Sequence, residues 1–493
     1  MDFLDPKKKR SHTIRLYVGY ALMAVALLIG TILLWYFSFG FNIDPKTKTV
    51  IQNGLLFLDA HPESAKVVIN GKDKGTTDTR LVMPAGSYSI ELQRQGYRNW
   101  KHDATIEGGV IERFIYPFLF PEKLVSKDAQ LFANTPTLAS QSPDRHWLVI
   151  QQPGNINNFS TYDLTKDNTE PSPISLPTTV LTQTGTKHVI TPIEWSTDNR
   201  HLIVKHVYDG GQEFVLIDRE VPTEAVNLTT HFSRVISDMR LRDKKYDHYY
   251  LHDKTSGELS TAVLQSKQVT PVAQRVVSFQ PHGSDKVLYA TELNAPTGKT
   301  LVKIKDGDKT YTLREVGQSP KYLLDIAQFD GKWYLAAGAS TEQKVFVYID
   351  PFGELKDNDA RLPVPSVLLR LNSPVEYLSF SSNTRCIAIQ GGNSFAVYDA
   401  ENKRQFRYET KLKLPADYKA TWMDGHRLTA VSDGKLNIWD FDGTNQQTII
   451  SSDPAFTPFF DRDYKQLFTI SPSLTVKNKT ALVNSDLLIK PTN

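Results

Sequence analysis

Ser142-Pro143-Asp144-Arg145-His146-Trp147-Leu148-Val149-Ile150 is a polar turn running into an apolar strand, and the chain repeats it. A second copy is Ser196-Thr197-Asp198-Asn199-Arg200-His201-Leu202-Ile203-Val204. A third, Ser381-Ser382-Asn383-Thr384-Arg385-Cys386-Ile387-Ala388-Ile389, keeps the same order of hydroxyl, Asp or Asn, base and apolar run. More diverged copies begin at Arg242, Pro281, Phe329, Met423 and Asp461. Ser, Asp, Asn and Gly between two extended runs are turn residues, because their short side chains bond the local backbone or accept positive φ. Each copy therefore predicts a hairpin.

Several copies are followed by a further apolar strand ending in an aromatic-acidic corner. Examples are Phe214-Val215-Leu216-Ile217-Asp218, Phe395-Ala396-Val397-Tyr398-Asp399 and Leu436-Asn437-Ile438-Trp439-Asp440. Successive copies lie about 37–54 residues apart, the spacing of four-stranded propeller blades. Residues 142–144 and 436–443 resemble the WD40-like and TolB-like β-propellers, which implies a ring of blades. Eight copies suggest eight blades, or seven if the Arg242 copy is an insertion. The last copy lacks an outer strand, which a segment at 119–125 is expected to supply, closing the ring. An array of β-sandwiches is the alternative, and the even spacing argues against it.

Upstream, residues 16–41 read LYVGYALMAVALLIGTILLWYFSFGF, without one charged side chain. About 20 apolar helical residues cross a bilayer core. Trp35, Tyr36, Phe37, Phe39 and Phe41 crowd the C-terminal end, as an interfacial aromatic belt does. Lys7, Lys8, Lys9, Arg10 and Arg15 precede the run, and positive flanks stay cytoplasmic, so the N-terminus is expected inside and the rest outside. The apolar run exceeds that of a signal peptide, and a retained signal-anchor is the reading.

Between anchor and repeats lies a short β-rich stretch. Val68-Ile69-Asn70-Gly71 predicts one hairpin, and residues 81–92 around Pro84-Ala85-Gly86 a second. Together with His61-Pro62-Glu63-Ser64-Ala65, Gly75, Ala85-Gly86-Ser87-Tyr88 and Gly96-Tyr97-Arg98-Asn99-Trp100, these residues resemble the PEGA domain. The resemblance implies an accessory β-domain of surface proteins with a binding or spacing role and no catalytic residues. Ser64 stands where that family has glycine, and Asp78 where proline is common. Tyr88, Tyr97 and Trp100 form a candidate ligand-stacking set, weighed against ordinary core packing.

The expected organisation is a basic tail at 1–15, a membrane helix at 16–41, a linker at 42–53, a PEGA-like β-sandwich at 54–120 and a seven- or eight-bladed β-propeller at 121–493. The fold class is thus an all-β ectodomain on one transmembrane helix. With 57 basic and 54 acidic residues the chain has no field to recruit nucleic acid, and Cys386 alone excludes an internal disulfide. No nucleophile elbow, zinc motif or phosphate loop is present, so the sequence points to no catalytic residue, metal or cofactor. His248 and His252 would lie too far apart along a strand to share an ion. The expected function is a single-pass cell-envelope protein whose propeller binds or scaffolds an envelope protein or cell-wall polymer. The alternative is a lyase- or glycosidase-type propeller enzyme acting on envelope polysaccharide.

Overall fold

A computed structural model describes residues 6–38, 40–43, 50–166, 170–357, 361–415 and 417–489. Phe39 of the expected aromatic belt and residues 44–49 of the expected 42–53 linker lie outside the described residues. The chain divides into two compact units, Met1–Lys123 and Leu124–Asn493.

In the first unit, the helix Pro6–Ser38 contains the segment Arg10–Tyr36, long and apolar enough to cross a membrane. Its 27 residues extend about 40 Å at 1.5 Å each. The helix stops short of the end of the apolar run. Gly40 turns the chain at φ 75°, and Phe41–Ile43 pairs as a strand with Val50–Leu58.

Val50–Leu58 is the hub of the first sheet, antiparallel to Thr79–Pro84 and parallel to Ile111–Phe114. A Cβ on Gly54 would stand 2.5 Å from the Glu107 carbonyl oxygen, so only glycine fits that crossing. The second sheet runs Lys72–Thr76, Lys66–Ile69, Gly86–Gln93, Trp100–Ile106. The Asn70-Gly71 hairpin forms as expected. The second expected hairpin does not. Thr79–Pro84 and Gly86–Gln93 belong to different sheets, and the intervening corner is held by the Ala85 amide on the Gln52 carbonyl (3.1 Å) and the Tyr88 hydroxyl on the Pro84 carbonyl (2.8 Å). Pro84 offers no N–H to a partner across a hairpin, and the corner uses only its carbonyl. Ser64 adopts φ 60° and Asp78 φ 64°, so the left-handed turn at the glycine position survives with serine in it.

Among the described residues, the second unit holds eight four-stranded antiparallel sheets. Blades 1 to 7 cover 138–175, 188–227, 238–273, 276–317, 322–370, 377–409 and 421–451. Blade 8 comprises Phe459–Phe460, Gln466–Pro472 and Thr480–Asp486, completed by Val125–Phe132 from the start of the unit. The Arg242 copy is a true blade, so the ring has eight. The closing strand lies later than the expected 119–125. Its register runs from Thr480↔Phe132 to Asp486↔Val125.

The second strands are buried on both faces. Cys386–Gly391 and Arg427–Ser432 are buried at every position. Blades stack face to face, so these strands read as continuous apolar runs rather than alternations. Ala336, Val345 and Val347 of blade 5 share one core with Ile387, Ile389 and Ala396 of blade 6.

The repeated turn explains its own sequence. Ser142 Oγ accepts from the Trp147 amide (3.0 Å), Asp144 Oδ1 accepts from the His146 amide (3.1 Å), and Arg145 takes φ 63°. Blade 6 repeats this through Ser381 Oγ, Asn383 Oδ1 and Thr384 at φ 61°. The base that follows reaches the acidic corner of the third strand. Arg385 Nε and Nη2 bond both oxygens of Asp399 at 2.8 and 2.7 Å, and Asp399 Oδ1 also accepts from the Glu401 amide (3.1 Å). Equivalent pairs are His146–Asp163, Arg200–Asp218 and Lys286–Asp306. Burial opposes ionisation of Asp218, but Arg200 and the backbone amides of Val221 and Glu220 outweigh it and hold its carboxyl below the usual range.

Neighbouring turns are also bonded to one another around the ring. The Asp144 amide donates to Asn199 Oδ1 (3.0 Å), Thr197 to the Lys244 carbonyl (3.0 Å) and Asp243 to the Gly283 carbonyl (2.9 Å). His282 Nδ1 meets the Ile326 carbonyl (3.2 Å), and Thr384 Oγ1 donates to Gln328 O (2.6 Å). The Ser382 amide reaches Asp424 O (3.5 Å), Tyr464 OH donates to Met423 O (3.1 Å), and Gln141 Nε2 donates to Phe460 O (2.8 Å). Every blade boundary is crossed. Arg385→Ala would leave Asp399 buried and unpaired; we expect a loss of about 3–5 kcal/mol, read as a lowered urea midpoint, with a shift under ~0.5 kcal/mol counting against the pairing.

Candidate functional site

The three aromatic residues singled out in the PEGA-like unit do not form an open platform. Trp100 is 1% and Tyr97 5% exposed. Trp100 stacks on His102 (5.5 Å) and meets Phe114 and Tyr116 at 6.0 Å, bringing the two sheets together. Tyr88 is half-buried and its hydroxyl is spent on the corner at Pro84. These rings are core and corner, which corrects the stacking expectation.

In the propeller the charged convergence is at the axis. Arg240 lies on the inner strand of blade 3, Asp325 on that of blade 5, and Lys419 just ahead of that of blade 7. Lys419 lies in the field of both Asp325 and Arg240, and Asp325 in that of Lys419 and Lys244. Groups from blades separated by a whole blade interact this way only across the central channel. Asp325 keeps some exposed surface yet is enclosed by the ring, as a channel-lining group is. Burial pushes its carboxyl up to about 6, outweighing the Ile326 amide (2.9 Å) and the charge of Lys419. Burial likewise lowers the Lys419 ammonium, against the pull of Asp325. Nearby, Glu194 of blade 2 accepts from the Leu241 amide (2.6 Å) and pairs with Lys244.

The channel has a turn-face end and a loop-face end. At the turn face, Arg145 Nη2 donates to the Met423 carbonyl (2.8 Å) and its guanidinium lies 4.4 Å above the Tyr464 ring, so one side chain ties blade 1 past blade 8 to blade 7. At the opposite, loop face, connections between blades range from 274–275 to 176–187. Lys321 and Lys419 stand in those connections, at the start of the inner strands.

Among the described residues no group of three or more His, Cys, Asp or Glu is placed to hold a metal ion. His248 bonds Asp247 (2.8 Å) and His252 the Val276 carbonyl (2.8 Å), each separately satisfied. The Asp442 and Asp461 carboxylates cap their own turns, on Thr444 and Gln466. Cys386 is fully buried, and burial raises its thiol well above the usual value. Sequence reasoning missed Asp325 and Lys419. The available signal was a lone carboxylate inside the apolar run Tyr322-Leu323-Leu324-Asp325-Ile326-Ala327.

Two outcomes follow. Trp100→Ala should cost about 3–5 kcal/mol of PEGA-unit stability; a stable variant with a lost ligand would restore the stacking role. The Asp325 carboxyl keeps its proton to about pH 6 when folded, against 3.8 for an ordinary aspartate. The folded state then binds more protons across that window, so this group's contribution to stability falls as pH rises from about 4 to about 6. Asp325→Asn should flatten that part of the stability–pH curve, and an unchanged slope would remove the assignment.

A family model described as "PEGA domain" matches residues 53–115. No curated protein matches the sequence. Among solved structures, one described as "Structure of Dos1 propeller" is 14% identical with a TM-score of 0.45, covering 74% of this chain and 96% of that one. Kluyveromyces lactis Hsv2 is 12% identical at 0.39, covering 65% and 98%. An oligogalacturonate lyase in complex with manganese is 12% identical at 0.38, covering 74% and 99%. These likenesses carry no functional argument. Residues 53–115 thus match the PEGA domain, on a chain that also carries an eight-bladed β-propeller and, among the described residues, one helix long and apolar enough to cross a membrane.

Proposed function

We propose that this is a single-pass envelope protein, N-terminus cytoplasmic, whose extracytoplasmic propeller binds a protein or polymer partner at its loop face, with the PEGA domain as spacer. The observation that carries the reading is the convergence of Arg240, Asp325 and Lys419 from alternate blades on the channel, with Lys321 and Lys419 in the connections at its loop-face end. Loops on a rigid ring are where binding specificity is carried. The five basic residues that precede the apolar run at 16–41 support the orientation.

A second reading, catalysis in the channel on an envelope polysaccharide, is favoured by one observation. A carboxyl that keeps its proton to about pH 6 is suited to general-acid work.

The test is photo-crosslinking in intact cells from full-length protein. A crosslinker at Lys321 or Asp417 on the loop face should capture a discrete partner, and one at Lys267 on the turn face should not. Equal capture from both faces, or none from either, counts against the binding reading. Reporter fusions after Asn53 should be active only outside the cytoplasm. If polysaccharide is cleaved and Asp325→Asn abolishes the cleavage, the second reading replaces the first.

A further inference from the structure

One groove on the loop face, between blades 5 and 6, gathers three cations around a single carboxylate. It has a volume of about 480 Å³ and is lined by Glu342, Lys344, Arg370, Asn372 and Arg407, with Gln343 and Leu371 completing it. Lys344 and Arg370 sit directly opposite each other on the third and fourth strands of blade 5. Like charges at that register repel, and a sheet ordinarily places opposite charges there. Arg407, from the outer strand of blade 6, brings a third cation and bonds the Asn372 side chain, not a carboxylate.

The one carboxylate in the groove is already engaged. Glu342 Oε1 accepts from the Gly317 amide (2.9 Å), and its other oxygen lies 3.9 Å from Lys344 Nζ, at the limit of an ion pair. The Arg370 side chain has no hydrogen-bonding or ion-pair partner among the described residues. The groove walls are fixed by backbone. The Leu371 amide bonds Gln343 O (3.0 Å) and Gln343 Nε2 bonds Asn372 O (3.0 Å), so the cations stand on a braced frame rather than on free loops.

Two guanidinium groups and an ammonium around one concavity match a ligand with several oxygens and more than one negative charge. Guanidinium forks pair two oxygens at once, and a tetrahedral oxyanion can engage both forks while facing the lysine. We propose that this groove binds a phosphate group, presented either as the free anion or within a phosphodiester chain. The proposal names a ligand chemistry for the loop face and so rests on the reading of that face as the binding face.

The experiment uses full-length protein in detergent micelles, titrated calorimetrically with inorganic phosphate and separately with a poly(glycerol phosphate) oligomer. Saturable binding weakened tenfold or more by Arg370→Gln and by Arg407→Gln, with Lys332→Gln on the turn face unchanged, is the expected result. Oligomer binding at least tenfold tighter per site than phosphate identifies a polymer-borne source, and equal binding the free anion. No saturable binding of either probe overturns the proposal. So does binding that changes less than twofold in both arginine variants while their circular dichroism stays native. Both arginines are exposed on outer strands, so the variants should fold; if either loses native dichroism, Lys344→Gln is read by the same tenfold and twofold limits. Phosphate binding retained while crosslinking from Lys321 and Asp417 fails would remove the partner reading alone, and the reverse would remove the groove alone.

Discussion

A carboxylate at the end of a third strand, held by the base that leaves the first turn, is the interaction on which the ring depends. Asp399 has no exposed surface, and ionised carboxylates are not tolerated in such a place without full compensation. Both oxygens bond Arg385, and Oδ1 also takes a backbone amide of the following turn. One residue thus sets the geometry of two turns, the one that opens the blade and the one that leads to its outer strand. Since each opening turn bonds the next blade, the fit inside one sheet is passed on to its neighbour. The apolar faces supply the bulk of the cohesion, but they are not directional. The polar turns decide the angle at which the faces meet.

The same devices do not compensate every charge. At the turn face Arg145 lies across three blades. In the channel and at the loop face other placements work against the charges they hold. Asp325 and Lys419 are held where burial disfavours both charges, and Lys344 stands opposite Arg370. Such uncompensated placements are where local rules yield to function.

Much of this was legible beforehand. The turn signature at Ser142, Ser196 and Ser381, with its more diverged copies, located the opening hairpins, because Ser, Asp, Asn and Gly act on the backbone within a few residues and need no tertiary context. The Asn70-Gly71 hairpin was readable for the same reason. What escaped was decided at long range. Residues 79–93 look like a hairpin in sequence, yet the two strands go to different sheets because Val50–Leu58 competes for one of them. Trp100 at a strand start reads equally as platform or core until the Phe114 strand is placed beneath it. Asp325 and Lys419 become a site only when blades 5 and 7 are brought to one axis, and no spacing rule connects residues so far apart. The closing strand was anticipated as an element and misplaced by a few residues, since several registers keep an apolar face inward.

The composite eighth blade sets an order on the birth of the protein. Val125–Phe132 is made first in its unit, and its partner Thr480–Asp486 nearly last. For most of synthesis the early strand is an unmatched edge, open to pairing with any strand it meets. It is guarded against that: Lys127 and Asp128 interrupt its apolar character, and Asp128 is reserved for the amides of Leu474 and Thr475 and the hydroxyls of Ser473 and Thr475. The ring therefore carries its own completeness check. A chain truncated before residue 480 has no partner for this strand, and such a fragment exposes both of its edges to proteolysis, whereas in the finished molecule Thr480–Asp486 covers one of them.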